Sequence, residues 1–153
     1  GIAGVLGHIV IRRDGEPCNC GRKGCLVAYA SAASFVKFAE RALAAGRESM
    51  LQENARHLNA KMICDAVDAG DALACELFDE YCVNLSIGLA DFINIFQPES
   101  IVLGGGLAGY GEKLLEPLRR LTLPQTFRSD ARNTEIVCAS LGNDAGLIGA
   151  AML

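Results

Sequence analysis

His8-Ile9-Val10-Ile11-Arg12-Arg13-Asp14-Gly15-Glu16-Pro17-Cys18-Asn19-Cys20-Gly21-Arg22-Lys23-Gly24-Cys25 is the stretch that decides how this chain is read. It gathers one histidine and three cysteines, His8, Cys18, Cys20 and Cys25, within eighteen residues that also hold Gly15, Pro17, Gly21 and Gly24. Structural zinc takes thiolate and imidazole ligands and closes its shell at four. Glycines let a short loop fold back so that the three cysteines can converge on one point. His8 leads into the apolar run Ile9-Val10-Ile11, which reads as a strand presenting the ring from a fixed position. The alternative reading is a set of buried or disulfide-bonded cysteines. The spacing, in a chain with no extracellular signature, favours zinc.

Outside that loop the composition describes one core-forming domain. The chain has 153 residues, 51% of them hydrophobic, with a mean hydropathy of +0.27. That length suffices for a single core. No apolar run reaches the ~20 residues of a membrane helix, and no basic segment followed by an apolar one marks a signal peptide. The expected location is cytoplasmic. Seven cysteines is an odd number. Cys64, Cys75 and Cys82 fall in helical patterns and Cys138 in a strand pattern, which suits small buried hydrophobes. A net charge of −4 and an isoelectric point near 5.2 argue against nucleic-acid binding by this segment, which needs a concentrated basic patch.

Helical periodicity follows the loop. Ser31 or Ser34 caps a helix reaching about Ala45, with Phe35, Phe38, Ala39 and Ala42 on one face and Gly46 as its stop. Residues 47–58 read as a polar surface excursion. Asn59 caps a short helix carrying Met62, Ile63, Ala66 and Val67, which Gly70 ends. Asp71 caps a longer one from Ala72 to Phe96, whose apolar set is Leu77, Phe78, Tyr81, Leu85, Gly88, Leu89, Phe92 and Ile95. Its small residues Ser86, Gly88 and Ala90 admit a close neighbour. After Pro98, Ser100-Ile101-Val102-Leu103 reads as a buried strand, Leu107 to Leu121 as a helix bent near Pro117, and Glu135 to Ser140 as a strand. Asp144-Ala145-Gly146 opens a last helix. The order β–loop–α–α–α–β–α–β–α predicts an α/β layer architecture.

A strand that runs directly into Gly104-Gly105-Gly106 is a geometry for close approach of backbone to an anionic or planar ligand. The same tripeptide also suits a tight turn, since it lacks both the Lys-Ser/Thr of a P-loop and the G-x-G-x-x-G spacing. Asp144 is first a helix cap and second a ligand contact. His57 reads as solvated, Glu76, Asp79 and Glu80 as the wet face of the long helix, and Asp14 and Glu16 as flanks of a turn at Gly15. No catalytic set of Ser/His/Asp or Cys/His type emerges from the spacing.

Taken together, these segments resemble the C-terminal half of the ROK family of repressors, open reading frames and sugar kinases. Ala3-Gly4-Val5-Leu6-Gly7-His8 is similar to its A-G-E-x-G-H signature except at one place, and Cys18 to Leu26 resembles its zinc motif without a gap. Asn94-Ile95-Phe96-Gln97-Pro98-Glu99 with Ile101 to Gly106 resembles its N-x-x-x-P-E … I-V-x-G-G-G run, and Leu141 to Ala151 its closing segment. The wording is nearest to bacterial glucokinase-type members.

The resemblance implies an actin-like ATPase fold of the sugar kinase/Hsp70 type, in which two lobes close over Mg-ATP and a hexose. Residues 1–153 would form the single C-terminal lobe, with a zinc loop over about 8–27. His8, Cys18, Cys20 and Cys25 would hold a structural zinc, His8 would also border the sugar, and Gly104, Gly105 and Gly106 would lie on the adenosine side of the nucleotide. Val5 and Val27 stand where the family places sugar-binding glutamates. Valine accepts no hydroxyl hydrogen bond, and a site typically loses ~1–3 kcal/mol per polar group left unpaired. The family's phosphate-binding D-x-G-x-T and its general-base aspartate do not occur in the sequence. The expectation is therefore the lobe of an ATP-dependent hexose kinase, inactive alone, with no catalytic residue of its own and a homodimeric habit. The alternatives are the sugar-sensing or dimerisation domain of a ROK repressor, and a zinc-stabilised dimerisation unit without a ligand.

Overall fold

The computed structural model describes residues 4–127 and 133–139. Four α-helices carry most of the described core. α1 spans Ala32–Ala44, α2 Ala60–Asp68, α3 Ala72–Phe96 and α4 Glu112–Thr122. The strands β1 (Ser100–Leu103) and β2 (Glu135–Cys138) pair in parallel, with Ser100 opposite Glu135 and Leu103 opposite Cys138. A parallel pair needs a crossover, and α4 lies in the segment that supplies it.

The helix starts are chemically specified. The Ser31 side chain accepts from the Ser34 N–H at 3.0 Å while Ser34 Oγ accepts from the Ser31 N–H at 2.9 Å, a reciprocal capping box. Asn59 caps α2 through the Met62 N–H at 3.0 Å, and Asp71 caps α3 through the Ala74 N–H at 2.9 Å. Gly46 and Gly70 follow α1 and α2 with positive φ. Phe35 of α1, Ile63 of α2, Leu73 and Ile93 of α3, Leu114 and Leu118 of α4 and Ile136 of β2 form the most deeply buried apolar core. α3 is its axis and packs against α1, α2 and α4.

Several expectations are corrected. Ile9-Val10-Ile11 does not form a strand. Leu6–His8 is a single 3-10 turn, and Val10 makes one isolated antiparallel bridge with Cys25. The Gly24 carbonyl accepts from both the Ile11 and Arg12 N–H groups, so the chain turns away after one pairing. β1 is half-buried rather than buried, with Ile101 and Leu103 turned inward and Ser100 and Val102 outward. The helix expected over 107–121 is split. Gly106–Tyr110 is a 3-10 segment, and Gly111, at φ 61° and ψ −134°, separates it from α4; Pro117 sits inside α4 without ending it. Residues 47–58 are not only surface, because Leu51 reaches the core. Ile95 is exposed along with Phe96 in the last turn of α3. The helix expected from Asp144 lies outside the described residues. Among the described residues no helix is long and apolar enough to cross a membrane.

Candidate functional site

The cysteine loop is a small hairpin closed by its own backbone. Gly21 N–H donates to the Cys18 carbonyl at 3.0 Å, Cys18 N–H to Arg22 at 2.9 Å and Gly24 N–H to Glu16 at 2.8 Å. Gly21 (φ +85°) and Gly24 (φ +76°) make the reversals that L side chains resist. Gly24 is further constrained, since a Cβ there would lie 1.6 Å from the Arg12 carbonyl oxygen. Cys18 and Cys20 ride on the turn. Cys25 leaves it, and Leu26 N–H then donates to the Ile9 carbonyl at 2.8 Å.

These contacts bring the four expected ligands together. The donor atoms of His8, Cys18, Cys20 and Cys25 all lie within 4.8 Å of one another. Cys18 Sγ is 3.4 Å from His8 Nδ1, and the Sγ atoms of Cys20 and Cys25 are 3.6 Å apart. A tetrahedron of zinc–thiolate bonds near 2.3 Å sets its sulfurs about 3.8 Å apart. Donor set and spacing therefore fit zinc. The electrostatics are graded around Arg22. Its backbone N–H and guanidinium hold the Cys20 thiol down to about 6, whereas burial pushes Cys25 up to about 11. The same guanidinium donates to the His8 carbonyl at 2.6 Å, fixing the backbone that carries the imidazole.

The cysteine loop is fastened to both α1 and α3. Glu16 pairs with Lys37 at 3.1 Å and Arg41 at 2.7 Å, both on α1, and the Arg41 contact leads in keeping its carboxyl below the usual range. Tyr29 Oη accepts from the Glu16 N–H, and Arg12 lies over the Tyr29 ring at 5.0 Å. Leu26 seats against Gly88 of α3. Glu16 was legible only as a turn flank, because its partners stand 21 and 25 positions away and no local spacing marks them. Val27 lies beside the His8 turn, where a Cβ at Gly7 would sit 3.3 Å from Val27 Cβ, and Val5 is exposed.

The glycine run lies elsewhere, at the C-terminal end of β1. A Cβ at Gly104, Gly105 or Gly106 would meet nothing within 4 Å, so the backbone there is open to a neighbour. The expected helix N-terminus does not follow directly, since α4 begins only at Glu112. A cavity of about 420 Å³ opens beside the run, with Gly106, Gly109 and Tyr110 on one wall and Lys61, Cys64 and Asp68 on the other. Tyr110 Oη and Lys113 Nζ donate to Asp68 Oδ1 at 2.6 and 2.7 Å. Lys113 first and Tyr110 second hold the Asp68 carboxyl below its usual range. His57 is exposed, as its polar surroundings suggest. Glu76 and Glu80 are solvent-facing but paired, with Arg47 and Arg12 respectively.

The family model described as "ROK family" matches residues 1–153. The chain belongs to the ROK family. It is 39% identical to a glucokinase of Halalkalibacterium halodurans over 157 aligned positions, covering 100% of this chain and 48% of that protein. It is also similar to the DNA-binding transcriptional dual regulator NagC of Escherichia coli, at 30% identity over 96% of this chain and 36% of the regulator. Among solved structures, the ROK family glucokinase of Streptomyces griseus in complex with glucose and AMPPNP superposes with a TM-score of 0.84 at 32% identity, covering 99% of this chain and 51% of that one. The α/β fold is thus shared with ROK sugar kinases of the actin-like type. This ROK chain spans about half the length of the curated glucokinases it matches.

Proposed function

We propose that this chain is the C-terminal lobe of an ATP-dependent, glucokinase-like hexose kinase, holding a structural zinc and the adenosine side of Mg-ATP. The convergence of His8, Cys18, Cys20 and Cys25 within 4.8 Å is the observation that carries the reading. Four N/S donors complete the shell of a structural zinc and leave no open position for substrate. Zinc here would shape the loop rather than activate a reactant, and His8, held by Arg22, would border the sugar from it. The nucleotide belongs to Gly104, Gly105 and Gly106, and the cavity beside Gly106 is large enough to receive a planar base. Magnesium would accompany the phosphates of ATP. No residue of this chain is assigned a catalytic role, and a cytoplasmic homodimer is the expected form.

The observation favouring a second reading, a zinc-stabilised dimerisation unit without a ligand such as the dimerisation part of a ROK repressor, is the pair Val5 and Val27. Neither side chain accepts a hydroxyl hydrogen bond, and one is exposed while the other packs beside the His8 turn. The likeness to NagC runs the same way.

Calorimetric titration of the purified chain with ADP and ATP, with metal content measured on the same sample, separates the two. One zinc per chain and saturable nucleotide binding supports the kinase lobe. One zinc without nucleotide binding leaves the repressor-type reading. Cys20→Ser should lose metal while Cys82→Ser, deep in the helical core, should keep it; equal zinc in both variants would remove the site.

A further inference from the structure

The Cys20–Cys25 pair is built for a second chemistry. Their sulfurs are 3.6 Å apart, close enough that a modest adjustment of one side chain would join them. The two thiols differ in access, since Cys20 is exposed and Cys25 is fully buried. Cys25 is also fixed in place by the Val10 bridge and by the Leu26 N–H bond to Ile9. Cys20, by contrast, precedes Gly21, where even an added Cβ would meet nothing within 4 Å, so the turn has room to carry its sulfur inward. Cys18 is turned towards His8 Nδ1 at 3.4 Å, which leaves Cys20 and Cys25 as natural partners. The other free cysteines, Cys64, Cys75, Cys82 and Cys138, lie on helices and on β2, outside the loop.

We infer that Cys20 and Cys25 form a dithiol site for low-molecular-weight disulfides of the glutathione class, closing to an intramolecular disulfide that excludes the metal. The exposed Cys20 thiolate attacks one sulfur of the incoming disulfide, forming a mixed disulfide and releasing one thiolate, which takes up a proton. Cys25 then passes its proton to the departing group as its sulfur attacks the Cys20 sulfur, so that the second half of the external disulfide leaves as a thiol. Two protein thiols are oxidised, and one external disulfide is reduced to two thiols, so electrons balance. Two of the four metal ligands are consumed, and His8 and Cys18 alone do not complete a structural zinc shell. The loop stays closed by a covalent bond while the constraint on His8 is lifted. Release of zinc rests on the zinc reading above; formation of the disulfide does not.

The test treats the full chain with oxidised glutathione while a chromogenic chelator follows zinc, then maps disulfides by mass spectrometry of proteolytic peptides under non-reducing conditions. The expected result is a Cys20–Cys25 linkage with loss of two hydrogens, one zinc released per linkage formed, and recovery with dithiothreitol and added zinc. Protein that carries no zinc as purified would overturn the zinc reading, yet the mapped linkage still decides this inference. A linkage through Cys18, a persistent glutathione adduct on Cys20, or full zinc retention in oxidised protein would overturn it. Cys20→Ser should abolish the linkage, whereas Cys82→Ser should oxidise like the parent; because the linkage is mapped on the unaltered chain, misfolding of a variant does not blunt the test.

Discussion

Leu26 fills the gap that Gly88 leaves on α3: a Cβ built at Gly88 would stand 2.5 Å from Leu26 Cδ2 and 3.0 Å from Cδ1. Leu26 follows Cys25 directly, so this contact is where the cysteine loop is docked onto the central helix. Replacing Gly88 by Ala gains about 1 kcal/mol of helix propensity, but overpacking in a filled core costs about 1–3 kcal/mol. Leu26 is itself buried and cannot swing into solvent freely. Gly88→Ala should therefore destabilise by about 1 kcal/mol, Leu26→Ala by about 3 kcal/mol, and the double variant by less than the sum. Denaturant unfolding of the four proteins measures the coupling. Strict additivity would mean that the two residues do not share the space.

The two positive-φ glycines of the hairpin should behave differently. Gly21→Ala meets no atom within 4 Å and carries only left-handed strain, about 1 kcal/mol. Gly24→Ala adds a collision with the Arg12 backbone oxygen, which cannot rotate away, so at least about 2 kcal/mol is expected. Zinc content and thermal midpoint read this out: if the loop holds the proposed zinc, Gly21→Ala should keep it and Gly24→Ala should lose it. Equal retention would show that the hairpin can re-form around an alanine.

How much of this was legible in the sequence follows the range of each interaction. Ser31, Asn59 and Asp71 announce helix starts because a cap acts on N–H groups two or three residues ahead, and all three caps are in place. The clustering of His8, Cys18, Cys20 and Cys25 was legible because all four fall within eighteen residues, although only Cys18 and Cys20 ride on the hairpin turn itself. Ile9-Val10-Ile11 misled because an apolar β-branched run signals strand propensity, while its fate was set by the Gly24 carbonyl, thirteen positions beyond Ile11. The helix after the glycines misled because apolar periodicity continues through Gly109 and Gly111, whose backbone freedom interrupts it. Glu16 with Lys37 and Arg41, and Leu26 with Gly88, are long-range meetings that no local pattern encodes.

Asp71 supplies a pH dependence. Burial raises its pKa, but hydrogen bonds from the Ala74 and Met50 N–H groups and from Ser49 outweigh it, so the carboxyl lies below its usual value. Its stabilisation is therefore present above the unfolded-state pKa near 3.9 and is lost as the pH falls through the lower folded value. Asp71→Ala should cost about 1–2 kcal/mol at neutral pH, and its deficit against the parent should shrink below about pH 4. Thermal melts from pH 3 to 7 check this (pH values about evenly spaced, bracketing the carboxylate range). A deficit constant across the range would assign the effect to packing instead of charge.

Gly106 allows the nucleotide reading to be tested without disturbing the fold. It lines the cavity beside Tyr110, a Cβ there meets nothing within 4 Å, and its φ lies outside the left-handed region. Gly106→Val should leave the thermal midpoint nearly unchanged while placing two methyl groups where a base would lie. If the cavity receives the adenosine of ADP, affinity should fall at least about tenfold, or ~1.4 kcal/mol. Lys113→Ala supplies the complementary probe: it removes the ammonium from Asp68 and loosens the wall on which Tyr110 rests. Calorimetry on both variants decides between sites: undiminished ADP binding in Gly106→Val would move the nucleotide off this wall, whereas a loss in both would fix it between α2 and the glycine run.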